Sequence, residues 1–273
     1  MTGVDPPKPP WQPPPEPTTF ERITRGVRRR FAQRTARLAT ARSRRRRWVL
    51  VVGDSHAAVF REASWARLPV RLEVHAVGGA TLTGLPNPKS STLAGPKLRA
   101  ALDGAARRSP RPEAVVALLG EVDCGYILWR RHEQFDEPLA PQLDRAIEHY
   151  GEFLAQASPI APTIVVSVPL PTMDDLSTVG EYAGLRREVR AGLSERMELT
   201  RELNRRIGAL CAGLGLRFID LDERSVGPDG RVHPLLMNPD PTDHHYDRVS
   251  FARMLERELG DVVGFHADPI DHT

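Results

Sequence analysis

At 273 residues, 40% of them hydrophobic and 27% charged, the chain is long enough to bury one sizeable core, and a single α/β domain with a tail fits best. Two cysteines, Cys124 and Cys211, exclude a disulfide framework, and their spacing fits no zinc site, so a reducing compartment is the default. The net charge of +3 is unevenly spread: between Glu21 and Arg47 twelve arginines stand against one acid.

Residues 1–17 are rich in proline and are expected to be disordered or polyproline-like. From Thr19 to about Arg42, Phe20, Ile23, Val27, Phe31 and Leu38 recur at roughly helical spacing among arginines. Such a basic amphipathic segment suits a solvated arm, an anionic membrane surface or polymer, or nucleic acid. Aromatic residues that could stack on bases are scarce, so no specific nucleic-acid partner is expected; an anionic surface against residues 21–47 is the alternative to a solvated arm. The N-terminus carries charge and proline where a signal peptide needs an apolar core, and no stretch approaches the roughly 18 apolar residues of a membrane span. A cytoplasmic protein, in contact with a membrane surface only through its arm, is the expectation. The expected organisation is an arm at 1–47, a folded α/β domain at 48–262 and a tail at 263–273.

From Trp48 onward, strand and helix signals alternate. The strands are predicted at Trp48 to Val52, Val70 to Val77, Ala114 to Leu119, Thr163 to Val168 and Leu216 to Leu221. Helices are predicted at His56 to Ala66, Pro96 to Arg107, Pro138 to Gln156 and Tyr182 to Ala212, with a last one near Val249 to Leu259. The fourth is marked by Leu185, Val189, Leu193, Met197, Leu203, Ile207 and Leu210 on one face. This alternation predicts a three-layer α/β fold, a parallel sheet covered by helices on both sides, with its chemistry at the carboxyl ends of the strands.

The polar motifs of interest sit just after predicted strands. After the first comes Gly53-Asp54-Ser55-His56, a sharp strand-to-helix turn that places a serine hydroxyl near a helix N-terminus; a plain N-capped turn would read the same way. After the second, Gly78-Gly79 lets backbone N–H groups approach a substrate or simply makes a turn, and Asn87, in the polar loop that follows, either points an amide inward or caps a turn. After the third comes Gly120-Glu121-Val122-Asp123-Cys124-Gly125, read as a loop. Its two carboxylates suit an acid pair, a metal site or a brace, the brace being preferred for Glu121. Cys124 beside two acids should have a raised pKa and is not a candidate nucleophile. Late in the chain, Asp240, Asp243, His244 and His245 precede the last helix and supply what serine catalysis needs: an imidazole base and an acid to orient it.

Taken together, these motifs resemble the blocks of the SGNH or GDSL hydrolase superfamily: Gly-Asp-Ser behind the first strand, a glycine after the second, and Asp-x-x-His near the C-terminus. The resemblance runs from Trp48 to about Leu259 and implies a flavodoxin-like sheet and an esterase, acyltransferase or carbohydrate deacetylase. By it, Ser55 is the nucleophile, Ser55 and Gly78 or Gly79 donate to the oxyanion, and His245 with Asp243 forms the base pair, with His244 and Asp240 as alternates. Asp54, Glu121 and Asp123 are braces. No metal or cofactor is expected, and the expected partner is a small-molecule or carbohydrate ester. The third block departs from the pattern Gly-x-Asn-Asp, with Val122 where the oxyanion-binding asparagine belongs; Asn87 is the candidate replacement. Gly53-Asp54-x-His56 also resembles the first block of dinuclear metallophosphoesterases, with Asp54, His56, Asp123 and the late histidines as ligands, although the remaining blocks of that family are displaced or missing. The third alternative is a catalytically degenerate fold that binds carbohydrate or assembles with a partner.

Overall fold

The computed structural model describes residues 47–68, 70–173 and 188–260. The arm up to residue 46, the start of the predicted fourth helix at 182–187 and the tail from 263 lie outside the described residues. Five strands form one parallel sheet: β1 (Trp48–Gly53), β2 (Arg71–Ala76), β3 (Ala114–Leu118), β4 (Thr163–Val166) and β5 (Arg217–Ile219), in spatial order β2-β1-β3-β4-β5. This is the flavodoxin-like order, with the switch point between β1 and β3. Val51 of β1 pairs with Val74 of β2 on one side and Val116 of β3 on the other.

Every residue of β1 is buried, as its unbroken apolar sequence requires of a central strand covered on both faces. Alternation divides its side chains between two cores. Trp48, Leu50 and Val52 pack with α1 (Ala94–Ala106), the neighbouring α2 (Leu128–Phe135), α3 (Leu139–Ala157) and the C-terminal part of α4 (Leu193–Leu214). Val49 and Val51 pack with Phe60, Trp65 and Tyr246 and with Phe251 and Leu255 of a later helix. Between α4 and the C-terminal end lie the short α5 (Asp222–Ser225) and then α6 (Arg248–Gly260), which carries Phe251 and Leu255. The edge strand β2 carries Arg71, Glu73 and His75. Charges of this kind discourage further strand pairing. No helix among the described residues is long and apolar enough to cross a membrane.

Three predicted elements need correction. The helix expected at His56 to Ala66 is two 3₁₀ segments, Ser55–Arg61 and Ala63–Arg67, separated by an extended Glu62. The carbonyl of Val59 accepts both Glu62 N–H and the Trp65 indole N–H, which ends the first segment there. The helix expected to run through 188–192 begins instead at Leu193, because the backbone N–H groups of Arg190 and Ala191 donate to the Glu133 carboxylate and that of Gly192 to Glu195. The segment read as a loop after β3 is helical: Glu121 opens a turn that passes through a π-helical stretch at Asp123–Ile127 into α2. π-helical turns recur at functional sites.

Gly120 makes that abrupt turn possible. It has φ +131, and a Cβ there would lie 2.9 Å from Val168 Cγ2 and 3.2 Å from Leu203 Cδ2. Gly120→Ala should therefore lower folding stability by about 1–3 kcal/mol in denaturant unfolding. Gly78→Ala, whose Cβ would meet nothing within 4 Å, should leave stability nearly unchanged.

Candidate active site

The ends of β1 and β3 approach so closely that a Cβ on Gly53 would lie 2.0 Å from the Leu118 carbonyl oxygen, which requires glycine at that position. Asp54 follows, fully buried. Its Oδ1 accepts His56 N–H at 2.8 Å, and its Oδ2 accepts Gly120 N–H at 3.1 Å and Glu121 N–H at 3.4 Å. One carboxylate thus ties the turn after β1 to the turn after β3, and it holds Ser55 half-buried at the start of the first 3₁₀ segment. No hydrogen bond among the described residues takes the Ser55 N–H.

Asp123 does the same for the loop after β2. Its carboxylate accepts Leu82 N–H at 2.6 Å, Thr83 N–H at 3.1 Å and the Thr83 hydroxyl at 2.9 Å. Burial pushes its pKa up to about 6 against the pull of these donors. The loop begins with a turn in which Ala80 N–H donates to the Val77 carbonyl and Gly79 has φ +69. The N–H groups of Gly78 and Gly79 find no acceptor among the described residues. Asn87 is exposed, and its Oδ1 accepts Lys89 N–H at 2.9 Å, so the side chain closes a local turn rather than standing in for the missing asparagine.

The late motif divides in the same way between turn and site. Asp240 is exposed and accepts both the N–H and the hydroxyl of Thr242, a second local cap. Asp243 accepts His245 N–H at 3.0 Å, and its Oδ1 lies 2.5 Å from His245 Nδ1. Asp243 is held below its ordinary pKa: partial burial would raise it, but the bonds from His245 prevail. An ionised carboxylate only accepts, so Nδ1 carries the imidazole proton and Nε2 keeps its lone pair. That Nε2 is buried and has no hydrogen-bond partner among the described residues. Burial, followed by the neighbouring His56, holds the His245 pKa below its usual value against the pull of Asp243.

His245 and Ser55 line one small cavity, together with His56, Val59, Arg248 and Phe251. The segment that delivers His245 is anchored on the end of β4: Tyr246 Oη accepts Leu170 N–H at 2.9 Å and the Thr172 hydroxyl donates to the His244 carbonyl at 2.9 Å. His244 is buried beside Glu121, with its Nε2 3.7 Å from a Glu121 carboxylate oxygen. A broader, more open concavity lined by Phe60, Trp65, Leu72 and Val74 runs along the β2 edge and includes neither Ser55 nor the late histidines.

The residue that sequence reasoning passed over as a serine-hydrolase component is His56. Its ring centroid lies 4.5 Å from that of His245 and 5.4 Å from that of His244, and its Nδ1 lies 3.3 Å from Asp54 Oδ1. The available signal was its position directly after Ser55 at a strand end. Asp54 and Asp123, the carboxylates that a dinuclear phosphoesterase would use as ligands, are both occupied by N–H donors, and Asp123 faces the loop after β2.

No family model matches the chain, and no curated protein does. Solved structures do. A Streptococcus pneumonia protein named as a platelet activating factor superimposes with a TM-score of 0.54 at 14% identity, covering 88% of this chain and 98% of that one. Est24, a carbohydrate acetylesterase from Sinorhizobium meliloti, superimposes with a TM-score of 0.51 at 17% identity, covering 79% of this chain and 99% of that one. With its 2-1-3-4-5 parallel sheet, its helical layers on both faces and these matches, the chain has the fold of the SGNH/GDSL hydrolases.

Proposed function

We propose that this chain is a serine hydrolase or acyltransferase that cleaves an O-acyl ester, with a carbohydrate or polysaccharide ester as the first substrate class to test. The observation that carries the reading is the Asp243–His245 pair, which keeps the imidazole proton on Nδ1 of a residue that lines the same cavity as Ser55. Est24, a carbohydrate acetylesterase, supports the choice of substrate class. In the proposed reaction, His245 Nε2 takes the Ser55 hydroxyl proton as Oγ attacks the acyl carbon. The N–H groups of Ser55 and Gly78 or Gly79 hold the oxyanion. Collapse expels the alcohol, which leaves with the proton from His245. Water or a sugar hydroxyl then gives its proton to His245 as its oxygen bonds the acyl carbon, and His245 returns that proton to Ser55 Oγ as the acyl–Oγ bond breaks. No step needs a metal.

The degenerate, binding-only reading draws on one observation: the third block supplies Val122 and two carboxylates but no amide. Absence of one oxyanion donor typically costs about 10²–10³ in rate, which slows a hydrolase without abolishing it.

A fluorophosphonate probe separates these readings. Labelling of the wild type that vanishes in Ser55→Ala, together with a fall of at least about 10³-fold in turnover of short acyl esters and acetylated sugars, is the expected result. A wild type that resists the probe would favour the binding role.

The pH dependence follows from the surroundings of His245: Asp243 on its own loop, His244 beside it, and His56 and Glu121 facing it from the first and third strand ends. The base works when neutral. A pKa held below the usual 6.5 therefore places the acid limb of the rate below pH 6.5, with full activity above it. Asp243→Asn removes the carboxylate that raises this pKa and orients the ring. It should move the limb to still lower pH and reduce kcat by about 10²–10⁴-fold, measured as pH–rate profiles in the presence of a chelator.

A further inference from the structure

We propose that His56, His244 and His245 form a site for a borderline divalent cation, Zn²⁺, and that its binding switches the hydrolase off. One nitrogen from each imidazole lies within 4.8 Å of the others, brought together from the first strand end and the segment before α6. A tetrahedral zinc ion at about 2.0–2.1 Å from its ligands needs nitrogens about 3.3 Å apart, so binding draws the three nitrogens together from separations of up to 4.8 Å.

The carboxylates around the cluster strengthen the assignment. Each imidazole has its own: Asp54 Oδ1 lies 3.3 Å from His56 Nδ1, Asp243 Oδ1 lies 2.5 Å from His245 Nδ1, and Glu121 Oε2 lies 3.7 Å from His244 Nε2. The Asp243 contact is a hydrogen bond, and a carboxylate bonded behind a ligating histidine fixes ring orientation and raises ligand basicity, the arrangement that supports imidazole-bound zinc. The Asp243 carboxylate, held below its ordinary pKa, also offsets part of the desolvation cost of a divalent cation in a buried site.

Ligand type selects the metal class. The oxygens of Asp54 are taken by the N–H groups of His56, Gly120 and Glu121, and those of Asp123 by Leu82 and Thr83. The cluster itself presents imidazole nitrogens, which suit zinc and its first-row neighbours rather than magnesium or calcium. With both aspartates occupied, the cluster holds one ion and not the pair that a dinuclear phosphoesterase needs.

The link to activity rests on the hydrolase reading above, whereas the binding does not. Asp243 occupies Nδ1 of His245, so the metal must take Nε2, the nitrogen that would accept the Ser55 proton. A ring that ligates zinc there cannot act as a base. Occupancy and catalysis then exclude each other.

The test uses the full-length protein stripped with a chelator. Zn²⁺ is titrated in competition with a chromophoric chelator, and fluorophosphonate labelling is followed in parallel. One equivalent should bind, and zinc-edge X-ray absorption on the wild type should count three imidazole ligands. Ser55→Ala should keep the affinity. His56→Ala and His244→Ala should each weaken it by more than the about 10–100-fold that loss of a supporting carboxylate costs. Zn²⁺ should suppress wild-type labelling and chelator should restore it. In His56→Ala, labelling relative to that variant's own metal-free rate should become insensitive to the same zinc concentration. Failure to bind one equivalent, or fewer than two imidazoles in the absorption spectrum, would overturn the site while leaving Ser55 labelling to decide the hydrolase question by itself. Labelling that proceeds unchanged at saturating Zn²⁺ would overturn the switch. Tight three-imidazole binding in a protein that the probe never labels would keep the site and remove the hydrolase reading.

Discussion

The buried carboxylate of Asp54 is the constraint on which the site depends. A charge with no solvent contact is costly unless donors surround it, and here the backbone N–H groups of His56, Gly120 and Glu121 do so. Because those donors belong to two different strand ends, meeting the needs of one carboxylate fixes the turn after β1 relative to the turn after β3. The positions of Ser55 and His56 on one side, and of Glu121 on the other, follow from it. Asp123 repeats the device one turn further along and holds the loop after β2 through Leu82 and Thr83. Rigid backbone at three strand ends thus comes from two acids that the chemistry itself does not consume.

The fourth participant arrives from far along the chain and is fixed differently. The segment from Asp243 to Tyr246 is held to the end of β4 by the Tyr246 hydroxyl and by Thr172, so packing and backbone hydrogen bonds carry His244 and His245 over the switch point. Adjacent residues then diverge in role. His244 turns to Glu121 and is buried, while His245 pairs with Asp243 and shares a cavity with Ser55. The pair has the spacing Asp-x-His, one residue shorter than the Asp-x-x-His of the resembling family. A local backbone bond from His245 N–H to Asp243 makes that shorter spacing workable.

The sheet was legible because its signal is local and strong. Four of the five strands lie within the ranges predicted for them, β1 runs one residue further to Gly53, and the alternation of β1 between two cores follows from burial on both faces. Helix boundaries were less so. The pattern through Val189 is apolar at helical spacing, yet Glu133, more than fifty residues upstream, takes the backbone N–H groups that a continuing helix would have used. The Glu121 turn reads as loop because its glycine and acids are turn formers, and the neighbours that leave no room for a side chain at Gly120, Val168, Leu203 and Leu82, come from elsewhere in the sequence. At the site, the carboxylates of Asp54 and Asp123 accept backbone N–H groups from neighbouring strand ends, partners that lie up to 67 residues away in the sequence. Asn87 and Asp240 carry the same side-chain chemistry as their functional counterparts, and only exposure and a local backbone partner distinguish them. His56 was hidden for a related reason: its neighbours are contributed by residues nearly two hundred positions away.

The chemistry of the third strand end connects the two proposed properties of this cavity. Glu121, Val122 and Asp123 offer two carboxylates and an aliphatic side chain, and no amide donor. An oxyanion gains from donors and loses from nearby negative charge, so the Glu121 carboxylate beside His244 works against acyl transfer. A divalent cation has the opposite preference, because each carboxylate behind an imidazole makes that ring a better ligand. The Glu121 carboxylate therefore pulls the two proposed properties in opposite directions, against oxyanion binding and toward cation binding. Both effects converge on His245, where Asp243 fixes the proton on Nδ1 and leaves Nε2 as the one lone pair for which a serine proton and a metal ion compete.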